Sequence, residues 1–295
     1  MITTLVLFLF GAAIGSFLNV VAGRYEPDKR LFDFKVLGGR SQCPKCDTRL
    51  RWYELIPLLS FLIQLGRCRA CRAPISLEYP IIEVASGLVL AFLPQRIFEV
   101  FEVNFARLSG DLPLWYFLLT GIFVLVSLAL ILISAIDFRL RIIPDQSNVL
   151  IAVLGLAAII IIDYHDLFTD ISGSFIGHYA LLFGWRENIW INHLAGAVFG
   201  LIFFGLIIFF SRGRGMGVGD LKLAGAAGLL LGWPDIAVAL ALAFIVGAIG
   251  SIILLVRRTK GLKSAVPFGP FIALGILLVL FFGQALMDGY FALFP

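Results

Sequence analysis

The sequence predicts an all-α polytopic membrane protein of about eight transmembrane helices, with a small zinc-stapled cytoplasmic domain between the first and the second. Three observations predict it. Hydrophobic residues make up 60% of the 295 and charged residues only 14%, at a mean hydropathy of +1.00, whereas soluble domains carry about 25% charged residues. Eight stretches approach the roughly 20 apolar residues that a helix needs to cross the hydrocarbon core. All four cysteines fall in one basic connection. This composition excludes a cytosolic enzyme and a disordered chain. With a net charge of only +4 it also argues against nucleic acid as a partner, leaving membrane lipid as the expected surroundings.

The first stretch, residues 2–22, has neither a basic n-region nor a small-x-small cleavage site before the first charged cluster, so it reads as a retained span rather than a signal peptide. Further spans are expected at residues 79–95, 113–136, 146–162, 190–211, 221–234, 236–256 and 266–287. The stretch 221–234 is short and glycine-rich. It reads as a broken or partly buried helix, which a membrane tolerates when neighbouring protein satisfies the backbone. Eight spans put both termini on one side, and the positive-inside rule decides which. Of the 23 Lys and Arg, all but Arg96, Arg107 and Arg186 fall in the connections after the first, third, fifth and seventh spans. Those connections are therefore expected in the cytoplasm and both termini outside it. Residues 163–189 form a longer external connection from which no function reads. No internal repeat shows at the level of the spans, which weakens a transporter built from two matched halves.

The cysteines stand as Cys43-Pro44-Lys45-Cys46 and Cys68-Arg69-Ala70-Cys71, with 21 residues between the pairs. Two Cys-x-x-Cys knuckles supply four soft thiolates, the tetrahedral set that zinc prefers, and a short loop without a large core needs such a staple. Two disulfides would use the same residues, but a reducing cytoplasm opposes them. An iron–sulfur cluster stays open on spacing alone. Between the pairs, Trp52 to Leu62 is apolar and too short to span, so it is expected in the interface or against the bundle.

Ionisable groups at the edge of a span are expensive and thus candidates for function. Asp137 closes the apolar run from Leu130, and Asp220 closes Gly215-Met216-Gly217-Val218-Gly219. Both are expected at the cytoplasmic edge of their helices, where residues 83 positions apart in the chain can meet in one layer. Two carboxyls in a low-dielectric site share a proton, so that one activates water while the other polarises a peptide carbonyl. Either aspartate alone is equally a helix cap, and Asp145, after Pro144, reads as a cap or turn residue. A Ser-His protease is disfavoured because His165, His178 and His193 lie in or beside the external connection, and no His-Glu-x-x-His motif occurs. Two alternatives use the same aspartates: a cation- or proton-coupled transporter, and an intramembrane protease of the presenilin type.

With these residues in view, the chain resembles the type IV prepilin peptidases, bifunctional leader peptidases and N-methyltransferases of bacterial inner membranes. The resemblance covers nearly the whole chain. It runs through Gly15-Ser16-Phe17-Leu18-Asn19-Val20-Val21, the paired knuckles, Ile56-Pro57-Leu58-Leu59-Ser60, Gly66-Arg67-Cys68-Arg69, Tyr79-Pro80, Glu83, Ile143-Pro144-Asp145, Gly217-Val218-Gly219-Asp220-Leu221-Lys222 and Pro267-Phe268-Gly269-Pro270. It implies an aspartic peptidase whose catalytic pair matches Asp137 and Asp220. The implied substrates are prepilins and pseudopilins, cut on the cytoplasmic side after a glycine. The new amino terminus, commonly phenylalanine, would then be methylated with S-adenosylmethionine. Cys43, Cys46, Cys68 and Cys71 match the family's zinc-binding set, and both termini would be periplasmic. The implied division is a first transmembrane helix (1–22), a cytoplasmic zinc-binding and methyltransferase-associated domain (23–78) and a membrane-embedded peptidase bundle (79–295). Connection 163–189 is longer than the family leads one to expect. No strand–Gly-x-Gly-x-x-Gly–helix context occurs, so a methyl donor would need a different site. Gly15 to Arg24, Glu54, Glu78 and Glu83 are its candidate walls, and Glu83 reads equally as a buried carboxyl paired to a loop arginine.

Overall fold

A computed structural model describes residues 2–27, 29, 31, 38–101, 112–169, 172–183, 187–256 and 266–293. Of the charges in the topology reading, Arg30, Lys35, Arg107, Arg186, Arg257, Arg258, Lys260 and Lys263 lie outside the described residues. The described chain is helical, with eight long helices in order: α1 (Ile2–Arg24), α2 (Glu78–Val100), α3 (Leu114–Leu140), α4 (Asp145–Tyr164), α5 (Ile189–Phe210), α6 (Val218–Leu231), α7 (Asp235–Val256) and α8 (Gly269–Phe291). Two isolated antiparallel bridges, at the cysteine knuckles, are the β pairing among these residues.

Seven of the eight are long and apolar enough to cross a membrane. The chain is a multi-pass membrane protein. The exception is α6, whose 14 residues reach about 21 Å at 1.5 Å per residue, short of the roughly 30 Å core. Where eight spans were expected, one is thus a shortened helix held by its neighbours. It nevertheless runs along most of α5 in the opposite direction: a Cβ at Gly200 would meet the Ala224 carbonyl, and one at Gly196 would meet Gly228 and Gly232.

The helix ends follow local chemistry. Arg141 at φ 58° closes α3, its N–H donating to the Asp137 carbonyl. Pro144 opens α4, and Pro270 sits in the first turn of α8, where a missing N–H costs nothing. The Asn188 side chain accepts from the N–H groups of Trp190 and Ile191 and caps α5.

Between helices, contact is made by small residues. In lipid no hydrophobic force draws helices together, so close packing must. A Cβ on Gly11 would lie 2.5 Å from the Ser86 carbonyl oxygen across α1 and α2, one on Gly228 would lie 2.2 Å from the Gly196 oxygen, and one on Gly275 would lie 2.2 Å from the Ala239 oxygen across α7 and α8.

Connection 163–189, unreadable in the sequence, is folded where described. It includes a 3-10 helix, Gly177–Phe183, with Phe175, Ile176 and Ala180 buried. Asp235, at the start of α7 and 1% exposed, accepts from the Ser174 hydroxyl at 2.9 Å and from the N–H groups of Phe175 and Ile176 at 3.2 Å. Tyr179 donates to Asp288 of α8 at 2.8 Å, and that bond, with the neighbouring charge, pushes the phenol above its ordinary range. The connection therefore ties α7 and α8 together at the end of the bundle away from the basic connections.

If close packing holds the bundle, Gly228→Val should lower the thermal midpoint in detergent by about 5 °C or more, as overpacking of a dense contact does. Gly289→Val, with open space around it, should leave the midpoint within about 2 °C.

Candidate active site

Asp137 lies three residues before the end of α3, and Asp220 is the third residue of α6. Both are buried, at 5% and 9% exposure. They line one cavity of about 700 Å³ at the basic end of the bundle. The expectation that both would share one layer is thus met in the geometry.

Each carboxylate is held by a backbone N–H. Gly269, opening α8, donates to Asp137 Oδ2 at 2.9 Å, and Gly217 donates to Asp220 Oδ2 at 3.1 Å. One oxygen on each group is left for chemistry. Glycine is needed at 269, where a Cβ would come within 2.7 Å of Asp137 Oδ2. Gly219 is nearly as tight, since its Cβ would meet that of Ile143 at 3.1 Å. The glycine-rich entry to α6 turns through Arg212 (φ 53°) and Gly213 (φ 74°), and the Ser211 hydroxyl accepts from the Gly215 N–H at 3.0 Å.

Three further segments complete the wall. After α1, Tyr25, Pro27 and Lys29 face the cavity; Arg141 to Gln146 follow α3; Val266 to Phe268 precede α8. Leu31 donates to Gln146 Oε1 at 2.7 Å, and the Arg139 guanidinium donates to the carbonyls of Ala22 and Gly23. The chain after α1 is thereby tied to the mouth. Asp145 is in the first turn of α4, as a cap or turn residue would be, but its carboxylate pairs with Lys222 of α6 at 2.8 Å. The three histidines are remote: His193 is buried against the Leu229 carbonyl, His178 lies tilted against Tyr179 and His165 meets Tyr164 edge to face.

The cysteine pairs form one cluster. All four Sγ atoms lie within 4.8 Å of one another, with Cys43 to Cys71 at 3.9 Å and Cys46 to Cys68 at 4.0 Å. A tetrahedral zinc with bonds of about 2.3 Å has sulfur–sulfur edges of about 3.8 Å, so the donors fit such an ion. The distances exceed any disulfide, and the thiols are free. The two knuckles repeat one fold. Cys43 N–H donates to Thr48 and Cys68 N–H to Ala73; Leu50 pairs back to Ser41 and Ile75 to Gly66; Asp47 and Arg72 take φ 54° and 58° at matching places. Hydrogen bonds to the Thr48 hydroxyl and backbone bring Cys46 down to about 6. Backbone bonds from Cys71 and Ala70 lower Cys68 as well. The Ala73 bond pulls Cys71 down, but burial and the other thiols outweigh it and carry it up to about 11.

Two of the carboxylates considered for a methyl donor are committed inside the fold. Glu54 accepts from the Arg51 N–H at 2.8 Å and pairs with Arg69 at 3.2 Å. Glu83 accepts from the Leu58 N–H at 2.8 Å; the arginine partner considered for it is replaced by a backbone group.

Two family models match the chain: the bacterial peptidase A24 N-terminal domain over residues 9–97 and the type IV leader peptidase family over residues 122–252. A prepilin leader peptidase/N-methyltransferase of Burkholderia pseudomallei is 30% identical, covering 93% of this chain and 84% of its own length. The chain belongs to the type IV leader peptidase family. Enzymes of the same description from Aeromonas hydrophila and Pseudomonas aeruginosa are each 29% identical over 96% of the chain, covering 92% and 91% of their own lengths. No solved structure matches. The first family match holds α1 from residue 9 and both knuckles, the second holds Asp137 and Asp220, and Gly269 lies beyond both.

Proposed function

We propose that the chain removes the leader peptide from type IV prepilins and pseudopilins, with Asp137 and Asp220 as the catalytic pair, and N-methylates the new terminal residue using S-adenosylmethionine. The single observation that carries the peptidase reading is the meeting of two buried aspartates, from helices far apart in sequence, in one cavity at a helix-end layer. In this reading the basic connections and the cavity face the cytoplasm, both termini face the periplasm, and residues 1–22, 23–78 and 79–295 serve as first span, zinc domain and peptidase bundle.

The chemistry follows from a carboxyl pair holding one proton. The ionised member takes a proton from water as the water oxygen bonds to the scissile carbonyl carbon. The protonated member gives its proton to the carbonyl oxygen. Collapse then breaks the C–N bond and delivers a proton to the departing nitrogen, leaving a leader carboxylic acid and a free amine. The N–H groups of Gly269 and Gly217 keep the two carboxyls in place during this exchange. The cavity wall at Gly215–Gly217 and Val266–Phe268 has no bulky side chain at the glycines and leaves room for an extended segment, while the substrate's own helix stays in the bilayer.

Zinc on Cys43, Cys46, Cys68 and Cys71 would have a closed shell of four thiolates, which suits a staple and not a site for water. It supplies folding energy to a domain with little core of its own. Glu54, with both carboxylate oxygens engaged, would not be free to hold the methyl donor.

Asp137→Asn and Asp220→Asn should each reduce cleavage of a purified prepilin by at least about 100-fold, since a carboxamide cannot shuttle the proton; mass spectrometry of the product reads this, and an added methyl group on wild-type product reads the second activity. Gly269→Ala should lower kcat by about tenfold or more by displacing the Asp137 carboxyl. Elemental analysis should find one zinc per chain, lost in Cys43→Ser and released by acid as protons compete for the thiolates.

A further inference from the structure

Between the knuckles the chain makes a hairpin, a 3-10 turn at Trp52–Leu55 followed by a five-residue helix at Leu59–Ile63, whose apolar side chains turn away from the protein. Trp52 is 78% exposed, Leu62 67%, Ile63 71% and Leu65 85%. In water so dense an apolar patch is a liability. Its height is set by two tethers. The Leu58 N–H donates to Glu83, the sixth residue of membrane-crossing helix α2 and so about 8 Å along it. At the other end Ile75 donates to the Gly66 carbonyl at 2.8 Å, three residues before α2 begins. The hairpin therefore lies beside the first turns of α2, where Leu77 and Ile81 are also exposed. At the ends of the hairpin and on the knuckles stand the exposed side chains of Arg49, Arg51, Arg67 and Arg72, while Arg69 is held by Glu54. An apolar tip with a tryptophan and a collar of arginines is the chemistry of a segment seated among anionic headgroups.

We propose that the hairpin Trp52–Leu65 inserts into the headgroup and upper acyl layer of the bilayer, a lipid anchor that fixes the height of the paired knuckles above α2, with the arginines on lipid phosphates. This does not depend on the peptidase reading.

The test uses the full chain in vesicles of phosphatidylethanolamine and phosphatidylglycerol. Trp52 emission is taken as the difference between the wild type and Trp52→Phe, and Ile63→Trp in the Trp52→Phe background places a second probe on the short helix. Lipids brominated high on the acyl chain should quench both probes at least twofold, and aqueous iodide should leave them nearly unchanged. Strong iodide quenching with no effect of bromolipid would overturn the proposal, as the hairpin would then stand in water. Protection from both quenchers would overturn it too, because protein would be covering the tip.

Discussion

Two carboxyl groups must be held together in a helical bundle that lipid gives no hydrophobic reason to assemble. Glycine supplies the answer at two scales. Along the helices, Gly11, Gly196, Gly228 and Gly275 bring backbones into direct contact. At the cavity, Gly217 and Gly269 bring backbone N–H groups onto the carboxylates themselves. A Cβ at Gly11, Gly196, Gly228, Gly275 or Gly269 would meet a neighbouring element at 2.7 Å or less, so a side chain there pushes apart groups whose proximity the site needs. The start of α6 belongs to the same constraint, because Asp220, its third residue, can meet Asp137 only if the chain enters the bundle at the level where α3 is ending.

The two ends of the bundle do different work. At one, Asp235 collects three donors from connection 163–189 and α8 receives Tyr179, so loop and helices are tied together. At the other, the chain after α1 reaches over to Gln146 and Arg139 reaches back to the end of α1, while backbone turns with positive φ leave an open cavity. The knuckle domain is joined to this end through Glu83 and α2. The elements on either side of the cysteines are thereby connected mechanically to the wall of the aspartate cavity.

Much of this was legible in the sequence. Helix ends fell within a few residues of expectation because apolar runs bounded by charge leave little freedom in lipid, and the cysteine cluster followed from spacing. The meeting of Asp137 with Asp220 followed from counting spans, which puts both on one side. Other features were hidden for physical reasons. Glu83 is paired with a backbone N–H, and backbone partners have no sequence signature. Gly269 sat within a recognised motif, yet a glycine does not announce which carboxylate it faces. Asp145 reads locally as a helix start, and only the packing of α4 on α6 reveals Lys222 as its partner. The fold of connection 163–189 depends on Asp235, some sixty residues away, which no local pattern could supply.

The central claim is that Asp137 and Asp220 act as one proton-sharing pair. Its most direct test is the pH dependence of kcat/KM for leader cleavage by the zinc-replete wild-type protein, measured in a single lipid composition. The expected result is a bell-shaped profile, because activity needs one carboxyl ionised and its partner protonated, with limbs belonging to the pair. A single sigmoidal rise that stays on a plateau to high pH would contradict the account, since it would mean that one base acts without a protonated partner.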